Sequence, residues 1–91
     1  MEDPFVWDPE KARANYDKHG VSFSEASSIF GDPLMMAVED GEHSFGEQRY
    51  QAIGLSIRSR LLFVVFSERD RGIRIISARE ATRRERKSYE G

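Results

Sequence analysis

Six consecutive apolar residues, Leu61-Leu62-Phe63-Val64-Val65-Phe66, limit this chain more than any other stretch. Successive side chains of a strand point to opposite faces, so a run that is apolar at every position predicts a central strand covered on both sides. Alternation sends Leu61, Phe63, Val65, Ser67 and Arg69 to one face and Leu62, Val64, Phe66 and Glu68 to the other. The run is far too short to span a bilayer. Ninety-one residues allow one domain, 1–91, with one modest core.

The flanking segments supply candidates for the covering layers. Phe5-Val6-Trp7 is a short apolar strand that stops at Asp8-Pro9-Glu10. Asp8 suits an N-cap, Pro9 the first helical position and Glu10 the positive end of the helix dipole. A helix is therefore predicted from there to Lys18-His19, closed by Gly20. Ser22 and Glu25 have capping-box spacing, with Val21 and Ala26 placed as a staple, and predict a second helix ending at Gly31-Asp32-Pro33. Residues 34–38 form a predicted strand, followed by a polar loop over 40–46. Segments 48–57 and 61–67 form a predicted hairpin across Arg58-Ser59-Arg60. Asp70-Arg71-Gly72 is a turn, and 73–77 the last strand. Ser77 and Glu80 repeat the capping-box spacing and predict a final helix starting at Ser77. This order predicts an α+β fold: a mostly antiparallel sheet with two N-terminal helices and one C-terminal helix.

Charge divides the chain almost in two. Residues 1–47 carry three basic and eleven acidic side chains, a net −8. Residues 48–91 carry eleven basic and five acidic ones, a net +6, and ten of the eleven are arginine. The planar fork of arginine suits bidentate phosphate contact, so the asymmetry points to a polyanionic partner, nucleic acid first. The alternative is a solvated, salt-bridged surface. The absence of cysteine excludes disulfides and thiolate sites and fits a reducing, cytoplasmic setting. The acidic start MEDPFVWDPE has no apolar run, so neither a secretory signal nor a membrane partner is expected.

The two halves together hold residues with the chemistry of RNA cleavage without a metal. That reaction needs a base for the 2′-hydroxyl proton, an acid for the leaving oxygen and cations for the developing charge. Glu47, His43 and His19 are the available proton carriers, and Arg49, Arg69, Arg74 and Arg79 the cations nearest the predicted sheet mouth. Tyr50 and Tyr89 offer rings for stacking on unpaired bases, and Arg83 leads the basic C-terminal segment. Each has a quieter reading. Arg69 and Arg79 can pair with Glu47, Glu68 or Glu80, His19 can cap a helix beside Gly20, and the C-terminal arginines can form a solvated face. Glu39, Asp40, Glu42 and Glu47 lack a recognisable cation-loop spacing, and no zinc spacing, phosphate-cradling glycine loop or serine-nucleophile motif is present. No cofactor and no metal are expected.

The whole chain resembles the BrnT family of toxins from bacterial type II toxin–antitoxin systems. The matching stretches begin with Phe5-Val6-Trp7-Asp8-Pro9-Glu10-Lys11, Asn15, Lys18-His19-Gly20-Val21, Phe23-Ser24-Glu25-Ala26 and Phe30 with Asp32-Pro33. They continue through Glu47 with Arg49-Tyr50, Ala52-Ile53-Gly54, Arg60-Leu61 and Glu68-Arg69. The last are Arg74-Ile75-Ile76-Ser77-Ala78-Arg79, Ala81, Glu85-Arg86 and Tyr89. The resemblance implies a RelE-like endoribonuclease that arrests translation. It also implies a BrnA-like antitoxin with a ribbon-helix-helix domain, through which alone the toxin would meet operator DNA. Positions that match the family pattern are Glu47, Arg49, Arg69, Arg74 and Arg79, together with Lys18, His19 and Tyr89. On this reading Glu47 is the base, Arg49, Arg69 and Arg79 stabilise the pentacovalent phosphate, and Lys18, His19, Tyr50, Arg74, Arg83 and Tyr89 bind RNA. The alternative is a non-catalytic module whose arginines dock nucleic acid or a protein.

Overall fold

A computed structural model describes residues 3–43, 46–70 and 72–91. Strand β1 (Phe5–Val6) leads into helix α1 (Pro9–His19) and the short helix α2 (Phe23–Ser27), which tightens into a 3-10 turn over Ser28–Gly31. Strands β2 (Met36–Glu39), β3 (Arg49–Leu55), β4 (Leu61–Arg69) and β5 (Gly72–Glu80) follow, and helix α3 (Arg83–Glu90) closes the chain. They form one five-stranded sheet in the order β1-β5-β4-β3-β2.

The helix starts follow local chemistry. The Asp8 carboxylate accepts from the Glu10 amide, Pro9 opens α1, and Gly20 ends it in the left-handed conformation at φ 69°. The Ser22 hydroxyl accepts from the Glu25 amide at 3.0 Å. The second half of the expected capping box is not made. The Glu25 carboxylate turns instead to Arg60, 2.9 Å from its Nε, and to the Ser56 hydroxyl at 2.7 Å. Gly54 lets the 3-10 turn lie directly on β3, since a Cβ there would sit 2.9 Å from that of Ile29.

Three expectations are corrected. The sheet is mixed rather than mostly antiparallel: β1 runs parallel to β5, Phe5 opposite Ile73 and Val6 opposite Arg74. The helices also differ from expectation, because the strand predicted over 73–77 runs on to Glu80 and the last helix starts at Arg83 rather than Ser77. β4 reaches back to Leu61 and offers β5 partners as far as Leu62 opposite Glu80, so the ladder outcompetes a helix start at Ser77. The working capping box is Thr82 with Glu85, both halves present. Finally, β4 is central but only one of its faces is fully covered. Leu62, Val64 and Phe66 are buried with Phe23, Ala26, Ile29, Ile75 and Ala78 beneath α1 and α2. On the other face Leu61 and Ser67 are buried, but Phe63 and Val65 between them are only half-buried. The predicted Asp70-Arg71-Gly72 turn has its middle residue outside the described ones. Among the described residues no helix is long and apolar enough to cross a membrane.

Candidate functional site

The sheet face away from α1 and α2 is read from the strand register. Arg49 on β3, Ser67 on β4 and Arg74 on β5 lie side by side across three strands. Simple alternation from the buried Ala78 would turn Arg74 into the core and Ile75 out of it. The register slips between Val65 and Phe66, so Ser77 pairs with Val65 while Ile75 pairs with Phe66. Ile76 is thus the extra residue of a β-bulge, which reverses the phase of the strand. Ile75 drops into the core at 1% exposure, and Arg74 comes out on the open face beside Arg49.

Glu47, just before β3, lays its carboxylate over this row. Oε2 accepts from the Ser67 hydroxyl at 3.3 Å, Oε1 accepts from Arg74 Nη2, and Arg49 Nε stands 4.0 Å from Oε1. Burial pushes the Glu47 carboxyl up, but the hydrogen bond and charge of Arg74, with help from Ser67 and Arg49, outweigh it and hold the group below the usual carboxylate range. Glu47 is therefore ionised at neutral pH. Arg74 keeps a buried Nε without a hydrogen-bond acceptor among the described residues. The arrangement combines a carboxylate able to take a proton with two guanidinium groups able to hold a phosphate.

Of the residues singled out in the sequence, the fold brings together Glu47, Arg49 and Arg74. Arg69 lies two residues beyond Ser67 on the same strand face, exposed and without an ion pair among the described residues. Arg79 is on that face too, but in β5 rather than at a helix start. Its guanidinium lies 4.3 Å from the Phe63 ring centroid and pairs bidentately with Glu85 at 2.8 and 2.9 Å, so it is already neutralised. Arg83 is exposed on the first turn of α3.

The others do not converge. Tyr50 is on the covered face, stacked on Phe66 at 5.3 Å between centroids. The Tyr89 hydroxyl donates to Asp32 at 2.6 Å and so ties α3 down. Lys18 and His19 end α1 in the covering layer, next to Gly20, whose carbonyl accepts from Arg60 at the far end of β4. About 23 Å of strand separates that end from Ser67. The His43 side chain lies outside the described residues. Among the described residues no three His, Asp or Glu side chains gather as metal ligands. Ser67 was not singled out, although it is the first polar residue after the apolar run and is fully buried. The bulge that aims Arg74 is signalled only by the adjacent isoleucines at 75 and 76.

Fold and site together define a small α+β protein with a carboxylate set among arginines on an open sheet face. Residues 7–85 match the family described as the ribonuclease toxin BrnT of type II toxin–antitoxin systems, and the chain belongs to that family. Among solved structures it is similar to the Brucella abortus ribonuclease toxin BrnT, at 21% identity and a TM-score of 0.68, over 90% of this chain and 100% of that one. No curated protein matches the chain.

Proposed function

We propose that this protein is an endoribonuclease toxin that cleaves RNA on the open face of its sheet and so arrests translation in the cytoplasm. A BrnA-like ribbon-helix-helix antitoxin neutralises it and alone carries it to operator DNA. The observation that carries the reading is Glu47 held among Ser67, Arg74 and Arg49.

In the resting site Glu47 is a poor base because Arg74 is bound to it. An incoming phosphodiester competes for Arg74 and Arg49, whose charge then goes to the phosphate. With that cation drawn away the carboxylate becomes more basic and accepts the 2′-hydroxyl proton. The 2′-oxygen bonds to phosphorus, the bond to the 5′-oxygen breaks, and a 2′,3′-cyclic phosphate remains. Arg49 and Arg74 stabilise the extra negative charge, with Arg69 next along the strand. The leaving oxygen is stabilised by the same cations and takes its proton from water, since His19 is across the sheet. The hydroxide so formed takes the proton back from Glu47. Arginine supplies the charge a metal otherwise would, so cleavage is expected in excess EDTA. In this reading Arg74 joins the catalytic set, while Arg79 anchors α3.

The same ion pair also favours the second reading, a binding module in which Glu47 only fixes Arg74. Glu47→Gln separates the two. The enzyme reading expects RNA binding within a few-fold of wild type and cleavage down by 10²-fold or more. Unchanged cleavage overturns Glu47 as the base, whereas intact RNA recovered from the wild-type complex leaves only the module.

A further inference from the structure

Below the Glu47 row the open face carries two more rows in register. Val38, Gln51 and Val65 form one, and Met36, Ile53 and Phe63 the other. Helix α3 crosses beside them, and Ser88 closes a concavity of about 230 Å³ between helix and sheet. Met36, Val38, Ile53 and Phe63 are its apolar lining residues, and Gln51 and Ser88 its polar ones. Met36 and Val38 are 44% and 61% exposed, so the opening is accessible.

We infer that this concavity is a subsite for one unpaired nucleobase of the RNA held at the Glu47 row. The inference rests on the proposed cleavage site. The volume is below the ~300–1,000 Å³ of pockets that take drug-sized ligands, so it suits a single flat ring system. An apolar floor with a thioether and an aromatic edge takes the face of a base. A base edge presents donors and acceptors together, and the Gln51 amide is the side chain that offers both in a fixed plane. Gln51 is two residues from Arg49 on one strand face, about 7 Å, comparable to the reach from a backbone phosphate to a neighbouring base. A bound phosphate at Arg49 and Arg74 therefore delivers a base to Gln51. Gln51 reads which base is beside the cut.

The test uses the whole chain with labelled Met and Ile methyls, and a fully 2′-O-methylated tetranucleotide whose attacking hydroxyls are blocked. Binding should shift the Met36 and Ile53 methyl signals and the Arg49 and Arg74 amides together, and an abasic counterpart should shift the amides alone. Gln51→Ala should weaken binding roughly 10-fold, the size of one lost hydrogen bond, and relax base preference on cleavable RNA. Val38→Glu, at an exposed position, should weaken binding as well by repelling the strand at the opening. Amide shifts without methyl shifts overturn the subsite and leave the cleavage site standing, as do methyl shifts that survive with the abasic strand. Methyl shifts with no amide shifts, together with a Glu47→Gln protein that cleaves normally, overturn the cleavage site instead. No shifts at all overturn both.

Discussion

Beyond Val6 no strand among the described residues pairs with the outer edge of β5, and Asn15 takes that place. Its Nδ2 donates to the carbonyls of Ala78 at 2.8 Å and Val21 at 3.0 Å, and its Oδ1 accepts from the Ala78 amide at 3.1 Å. Asn15→Leu would orphan buried backbone groups worth about 1–3 kcal/mol each, so urea unfolding should show a loss of roughly 3 kcal/mol. The carboxylates make a second residue-scale case. Arg60 holds Glu25 below its ordinary value against the opposing effect of burial, Arg79 does the same for Glu85, and Tyr89 with two backbone amides lowers Asp32. Glu47 is lowered as well. Folded values below unfolded ones mean that this stabilisation is complete above the unfolded carboxylate range, about pH 4–4.5, and is lost as pH falls through the lowered values. Thermal unfolding should therefore show Tm dropping below about pH 4.5, and Glu25→Gln should start lower at neutral pH and fall less steeply. Glu47 and Arg49 were legible in the sequence because they flank a clear strand start. The neighbourhood of Arg74 was not, since it depends on a β-bulge that plain strand alternation does not foresee.

At the scale of elements, local signals and long-range pairing compete. Two segments near the C-terminus carry capping-box spacing, Ser77 with Glu80 and Thr82 with Glu85. Only the second is used, because both backbone groups of Ala78 on the outer edge of β5 are satisfied by Asn15 and its inner edge pairs with Val64. Thr82→Ala should cost about 1 kcal/mol in chemical denaturation, whereas Ser77→Ala should show no capping loss at all. Equal losses would mean that the helix start is not where the ladder puts it. The sequence was a good guide to α1, to the β3–β4 hairpin and to the face assignment of β4, all of which depend on short-range patterns. It was a poor guide to the parallel placement of β1, which depends on β5 being formed far along the chain. Helix α3 has no buried residue and is fastened by polar pairs, Arg79 to Glu85 and Tyr89 to Asp32. Its amphipathic placement could not be read from apolar spacing for that reason.

For the molecule as a whole, the charge split in the sequence becomes a division between parts of the fold. The basic half supplies β3, β4, β5 and α3, and of its cations Arg60, Arg74 and Arg79 are consumed by Glu25, Glu47 and Glu85. Arg69, Arg83 and Arg84 are exposed without an ion pair among the described residues, and they are what a polyanion or an acidic antitoxin surface meets first. Association with the antitoxin should slow by roughly 10-fold or more between low and high salt, measured by stopped flow. A salt-insensitive rate would move the antitoxin off this surface. The parallel pair of β1 and β5 carries a different consequence, one of timing. Strands β2 to β5 form a meander of neighbours, whereas Phe5 reaches Ile73 only by closing most of the chain into a loop. The meander should therefore assemble in the rate-limiting step and β1 should dock afterwards, its Phe5 ring settling 5.2 Å from that of Phe30. A Phe5→Ala chevron should show faster unfolding with refolding almost unchanged, and a slowed refolding arm would refute that order. The strand that is synthesised first is then the last to find its place.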